Sequence, residues 1–162
     1  MMDDSTVSWQ FKAFAELSTT ELYALLQARS SVFVLEQQCA YQDIDGFDAQ
    51  ALHMWCAKAG GPVLAYARLF APGVRYAEAS IGRVLTTDAA RGTGLGRDLM
   101  QRALTELDQR FGTPAIRISA QCYLDAFYRS FGFVPEGEPY LEDDIPHQAM
   151  LRSGDGSEQR EG

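Results

Sequence analysis

Bulky residues alternate with small or polar ones along VSWQFKAF, residues 7–14, and predict a first strand. From residue 18 the period lengthens. Ser18 and Glu21 have capping-box spacing, and Leu22, Leu25, Leu26, Arg29 and Phe33 share one helical face. CAYQDIDGFDAQA, residues 39–51, has turn residues without a period and predicts a loop. LHMWCAK and PVLAYARLF flank a glycine turn and predict a hairpin, and YAEASIGRVLT, residues 76–86, predicts another strand. Leu95, Leu99, Met100, Ala103, Leu104 and Leu107 then recur at helical spacing as far as Phe111 and Gly112. Residues 114–120 predict a strand, 123–131 a short helix stopped by Gly132, and FVPEGEPYLE and PHQAMLR the closing strands. The order β-α-β-β-β-α-β-α-β-β predicts a mixed α/β, α+β-like fold as a single domain over residues 1–152. The polar, glycine-rich tail 153–162 is expected to be disordered.

Composition narrows the function classes. The 162 residues are 46% hydrophobic and 22% charged, as in an ordinary globular domain. A formal charge of −8 without any Lys/Arg run argues against nucleic acid and anionic membrane as partners. No apolar run approaches the ~20 residues of a membrane span. The acidic start MMDDSTVSWQ has no apolar signal core, so a cytoplasmic location is expected. Cys39, Cys56 and Cys122 are odd in number and widely spaced, which predicts reduced thiols and no metal site.

The chemistry centres on RVLTTDAARGTGLGRDLM, residues 83–100. Three alternating glycines at the mouth of a helix expose N–H groups where the helix dipole also favours an anion. The P-loop pattern G-x-x-x-x-G-K-[ST] fails, because no lysine lies near. The dinucleotide fingerprint G-x-G-x-x-G fails as well: its last position falls on Arg97 counted from Gly92, and on Leu99 counted from Gly94. R/Q-x-x-G-x-G/A is met by Arg91, Gly94 and Gly96. A plain strand-to-helix turn is the bland alternative.

A second motif lies downstream, AFYRSFGF at residues 126–133. Together the loop and this segment resemble the acyl-CoA pyrophosphate loop and the FY-x-x-x-GF segment of the GNAT N-acetyltransferase superfamily. Residues 23–48, 81–100 and 143–150 further resemble its ElaA-type branch. The resemblance implies the GNAT fold: a central, mixed but mostly antiparallel sheet, splayed at the acyl-CoA site and flanked by helices. It implies acetyl-CoA as co-substrate, no metal, and a small-molecule or peptide amine as acceptor. A homodimer is the assembly that it suggests.

Residue by residue, the resemblance implies that amides of Gly92, Thr93, Gly94, Leu95, Gly96 and Arg97 hold the pyrophosphate, with Arg91 at the rim. Val84, Leu85 and Thr86 would pair with the pantetheine arm like an added strand, and Gln121 would complete the cofactor contacts. Tyr128 would protonate the departing thiolate; a phenol near pH 10 is not badly matched to a thiol near 8.5. The base stays open among Glu36, Glu78 and His147, with Asp43, Asp45, Asp48 and His53 behind them. A histidine on a strand such as LHMWCAK is more often structural, and DIDGFD lacks the EF-hand pattern. Tyr41, Asp43 and Asp45 are candidates for drawing in the acceptor ammonium. Arg29, Arg68 and Arg83, set among apolar residues, predict structural ion pairs. Two other functions share these features: a non-catalytic acyl-CoA sensor, and an acyl-homoserine-lactone-synthase-like acyltransferase.

Overall fold

The computed structural model describes residues 7–154, so the tail expectation for residues 155–162 lies outside the described residues. Eleven principal elements follow one another: β1 (Val7–Ala13), α1 (Thr19–Arg29), β2 (Leu52–Lys58), β3 (Val63–Phe70), β4 (Ala79–Thr86), α2 (Leu95–Phe111), β5 (Ile116–Gln121), α3 (Asp125–Arg129), β6 (Val134–Pro135), β7 (Tyr140–Glu142) and β8 (Ile145–Arg152). They make the expected mixed α/β fold, an open eight-stranded sheet ordered β1-β2-β3-β4-β5-β8-β6, with β7 also on β8, flanked by helices. The chain forms two compact units: residues up to Leu69 with Arg83–Ala103, and Phe70–Gly82 with residues from Leu104 onward.

In the first unit the capping box closes as the spacing predicts. Ser18 Oγ accepts from the Glu21 N–H at 3.0 Å, and the Glu21 carboxylate accepts from the Ser18 N–H at 2.9 Å. Lys12 Nζ reaches the same carboxylate at 2.9 Å, tying β1 to the start of α1. The helix does not stop at Arg29; it widens into π-helical turns over Ser30–Glu36. β1 runs antiparallel to β2, from Val7 opposite Lys58 to Ala13 opposite Leu52, and β2 runs antiparallel to β3 with a register shift between Cys56 and Ala57. All eight β3 residues are buried, which explains why its sequence reads as a continuous apolar run rather than an alternation. Leu25, Ala28 and Val32 pack with Trp55, Val63, Tyr66 and Leu85 in one core cluster. Leu25, Val32, Val63 and Leu85 each contribute about 1.5–3 kcal/mol when fully buried.

In the second unit β5 and β8 are antiparallel, from Ile116 opposite Arg152 to Gln121 opposite His147. Inward Ile116, Ile118 and Ala120 alternate with half-buried residues along β5. The first residues of β4 pair with β5 in parallel, Ala79 opposite Ile116 and Ser80 opposite Arg117, and both strands run on beyond these pairs. β6 and β7 both pair with β8.

Three boundaries differ from the sequence reading. β4 starts at Ala79 rather than at residue 76, because bends occupy the residues just before it. The helix expected over 123–131 is a 3-10 turn at Cys122–Leu124 followed by α3. The segment FVPEGEPYLE yields two short strands, with Gly137 at φ 76° between them.

Candidate active site

The glycine loop leaves a run of backbone donors open. Gly92 and Gly94 adopt φ of 81° and 83°, a left-handed region that glycine enters without steric cost. A Cβ at either glycine would meet nothing within 4 Å, so backbone conformation and open space above the loop define it. The N–H groups of Gly92, Gly94, Leu95 and Gly96 donate to no protein acceptor among the described residues. The Thr93 N–H turns back to Ala90 O at 3.3 Å, and its hydroxyl also donates to Ala90 O. The loop opens directly into α2, seventeen residues long, whose dipole adds positive potential at this end. Unpartnered amides, open space and a helix N-terminus fit the phosphates of an acyl-CoA.

Arg91, the rim cation of the motif, donates to Thr86 O at 3.0 Å and to the Glu36 carboxylate. Both side chains of this pair are partly exposed, at 44% and 37%. Glu36, one of the three named base candidates, is therefore ion-paired beside the loop. On β4, Leu85 points into the core while Val84 and Thr86 are half-buried.

Arg83 has φ 50°, a left-handed residue inside a strand. Such a conformation costs on the order of 1–3 kcal/mol unless its surroundings hold it. They do: Arg83 Nε donates to Asp43 Oδ1 at 2.8 Å, and its Nη2 donates to Asp43 O at 3.1 Å and Asp45 Oδ2 at 3.3 Å. Arg29 donates to Asp43 Oδ2 at 2.9 Å, Asp48 Oδ1 at 2.7 Å and Asp43 O at 3.0 Å. Arg68 grips both Asp45 oxygens at 2.8 Å and Asp48 Oδ1 at 3.0 Å. Three arginines thus neutralise three aspartates, and the ion pairs expected of Arg29, Arg68 and Arg83 are present.

Burial alone would raise the Asp45 and Asp48 carboxyls. Hydrogen bonds from Arg68 to Asp45, and from Arg29 and Arg68 to Asp48, outweigh it and hold both below the usual carboxylate range. Tyr41 donates to Asp43 Oδ1 at 3.0 Å under the Arg83 guanidinium, and burial pushes its phenol up. Tyr41, Asp43 and Asp45, named as acceptor candidates, are brought together here, but their charges are spent on arginines. His53 is the structural histidine that its strand position suggested. Its Nε2–H donates to Asp48 O at 3.0 Å, its Nδ1 accepts from the Tyr66 hydroxyl at 2.7 Å, and burial lowers its affinity for a proton.

In the second unit Tyr128 is buried between Phe127 and Phe133, edge to face with both at centroid distances of 5.2 and 6.2 Å. Its hydroxyl has no hydrogen-bond partner among the described residues. Burial, and to a smaller extent Tyr123, push the phenol well above its ordinary range, so it stays protonated. An acid needs that state.

The other base candidates differ in their surroundings. Glu78 accepts from Arg117 at 3.1 and 3.3 Å, and that partner lowers its pKa. His147 is buried at the start of β8, opposite Gln121 across the β5 ladder. Its Nδ1 lies 2.7 Å from Ile145 O, its Nε2 lies 3.5 Å from Glu142 Oε2, and the Tyr140 ring stacks on it at 6.1 Å. Glu142 and Tyr140 were invisible in the sequence as part of any site, because only the β7–β8 hairpin folds them against His147. The Arg91–Glu36 pair was hidden too, since 55 residues separate its members. Among the described residues no group of His, Cys, Asp or Glu side chains could hold a metal ion, and no helix is long and apolar enough to cross a membrane.

These features define the class. Residues 18–153 match the family model of the acetyltransferase (GNAT) domain, and the chain belongs to that family. It is a GNAT-type acyltransferase, of a family that draws its acyl group from acyl-CoA. Within the family it falls in the ElaA-type branch. It is 41% identical to Protein ElaA of Escherichia coli over 148 residues, covering 90% of this chain and 96% of that one. The E. coli ElaA crystal structure superposes with a TM-score of 0.84 at 40% identity, covering 91% of this chain and 99% of that one. An acyl-CoA N-acyltransferase from Pseudomonas aeruginosa is similar over the same shares, with a TM-score of 0.87 and 45% identity.

Proposed function

We propose that the protein transfers the acetyl group of acetyl-CoA to a primary amine by direct attack. The observation that carries the reading is the glycine loop, whose N–H groups at Gly92, Gly94, Leu95 and Gly96 have no protein acceptor at the mouth of α2. Gly92 to Arg97 cradle the pyrophosphate, with Arg91 adding charge at the rim while it keeps its Glu36 partner. The backbone of Val84, Leu85 and Thr86 holds the pantetheine arm, with Gln121 as a further cofactor contact. A backbone N–H on that strand stabilises the oxyanion that forms when the amine attacks.

Tyr128 gives its proton to the CoA thiolate as the carbon–sulfur bond breaks. A buried phenol with no competing hydrogen bond is protonated and available for that transfer. Tyr41, Asp43 and Asp45 act as a frame that fixes β4 through Arg83 rather than as contacts to the ammonium. This location of the charges leaves the acceptor to be recognised elsewhere. The single domain acts in the cytoplasm on a small-molecule or peptide amine.

A calorimetric titration with acetyl-CoA, followed by thiol release against a panel of primary amines, tests the proposal. Micromolar binding and amine-dependent thiol release are expected. Binding without release by any amine would favour the non-catalytic sensor, and no binding would remove the acyl-CoA reading altogether. A marked preference for long acyl chains would favour the lactone-synthase-like alternative.

A further inference from the structure

The attacking nitrogen must shed a proton, since a lysine-like ammonium with a pKa of about 10.4 is nearly all charged at neutral pH. Three residues carry groups suited to accept it. Glu36 is held by Arg91, and Glu78 by Arg117, which also binds Glu136 at 2.8 Å. Each of these carboxylates is already engaged by a guanidinium, and that of Arg117 lowers the Glu78 pKa. His147 is different, and its hydrogen bonds define why.

The Ile145 carbonyl can only accept, so at 2.7 Å the His147 Nδ1 must carry the hydrogen. The lone pair of the neutral ring is then on Nε2. No donor is bound to that nitrogen among the described residues; its neighbour is the Glu142 carboxylate at 3.5 Å, which can pair with an imidazolium once one forms. The ring is also packed in place. Tyr140 stacks on one face at an interplanar angle of 21°, its own hydroxyl bound to Ser119 Oγ on β5. Directly across the ladder stands Gln121, and the turn Cys122–Leu124 leads from there to α3 and Tyr128. Tyr140 and Glu142 on β7 are the titratable groups in contact with the ring, Asp143 and Asp144 occupy the turn of the same hairpin, and Glu142, Tyr76 and Cys122 act on Tyr140.

We infer that His147 is the general base of the reaction, accepting the amine proton at Nε2 while Ile145 O fixes its tautomer and Glu142 holds the resulting imidazolium. The inference rests on the acyltransferase reading above. The acceptor ammonium passes one proton to Nε2, and the nitrogen lone pair forms the bond to the acyl carbon. When the carbon–sulfur bond breaks, its electron pair goes to sulfur, which takes the Tyr128 proton. The surplus proton on the new amide nitrogen restores the phenol, and His147 releases its own to solvent. One ammonium and one acetyl-CoA give one amide, one free thiol and one proton.

The chain has two histidines, and the structure gives them opposite neutral tautomers: hydrogen on Nδ1 in His147, on Nε2 in His53. Nitrogen-15 NMR of the imidazoles on the wild-type protein separates them without any substitution. The Nδ1–H form at His147 is expected; an Nε2–H form, or an imidazolium that persists at the pH of full activity, overturns the inference, since that nitrogen would then have no lone pair. The second test is His147→Asn, whose side-chain amide can still donate to Ile145 O. It is expected to lower kcat/KM for the amine by about a hundredfold or more and to abolish the acid limb of the pH profile. Acetyl-CoA affinity should stay within about twofold, which reports an intact fold. A retained acid limb and near-normal turnover would overturn His147 as base while leaving the acyltransferase reading intact. Failure of the wild type itself to release thiol would overturn that reading, and this inference with it.

Discussion

Gly96→Ala separates a loop that binds phosphate from a loop that merely turns. Gly96 lies in the first turn of α2, outside the left-handed region, and an added Cβ would stand 3.6 Å from Thr86 Cγ2, an ordinary van der Waals contact. The protein itself therefore has no reason to require glycine there. Alanine should be neutral or stabilising, by up to about 1 kcal/mol of helix propensity, raising Tm by roughly 2–4 °C. A bound pyrophosphate changes the balance, because the methyl group stands where the phosphate oxygens approach the amides. Losing one charge-assisted hydrogen bond of about 1.5–3 kcal/mol weakens acetyl-CoA binding roughly tenfold to a hundredfold. Gly94→Ala provides the contrast. At φ 83° its methyl meets no neighbour but strains the backbone by about 1–2 kcal/mol, so Tm should fall. The two assays are thermal melting and calorimetric titration with acetyl-CoA. Unchanged affinity in a folded Gly96→Ala variant would refute the phosphate seat and leave a plain strand-to-helix turn.

Other expectations follow from the same geometry. Tyr128→Phe keeps the edge-to-face packing on Phe127 and Phe133 but removes the acid, so kcat should fall a hundredfold or more with acetyl-CoA affinity intact; unchanged kcat would remove Tyr128 from the mechanism. Arg29→Leu strips a fully buried cation from Asp43 and Asp48, which keep Arg83 and Arg68 respectively, and should lower stability by about 3–5 kcal/mol in urea melts. Arg91→Ala removes a solvent-exposed pair, and the urea midpoint should barely move. Acid should weaken the fold in two stages. The proton affinity of His53 is lowered by burial, so its contribution is complete above the unfolded value near 6.5 and is lost as pH falls through the native one. Asp45 and Asp48 are depressed by their arginines, so theirs is complete above about 3.9 and is lost as pH falls further. Urea midpoints measured across this range check both stages, and His53→Gln should abolish the upper one.

Much of the architecture was legible because it rests on short-range rules. The capping box at Ser18, the apolar period of α2, the hairpin between β2 and β3, and the left-handed glycines of the loop are all set by residues within a few positions of one another. The same holds for the family, since both of its motifs are contiguous. The wider helical turns at Ser30–Glu36 were not legible, because nothing in that stretch breaks the helical period. Nor was the division of the closing segment into β6 and β7, which follows their separate pairing with β8.

Protonation and charge required tertiary structure. The sequence by itself offered Glu36, Glu78 and His147 as equals, and an acidic loop that looked ready for an ammonium. In the fold, arginines 14 to 55 residues away claim both glutamates and all three aspartates. Only His147 keeps a nitrogen lone pair without a bound donor, fixed there by a carbonyl two residues back and a stacked tyrosine from the neighbouring strand. Periodicity and turn chemistry act along the chain, so the sequence determines them. A pKa or an ion pair depends on which charges meet through space, and that is decided only when distant segments pack.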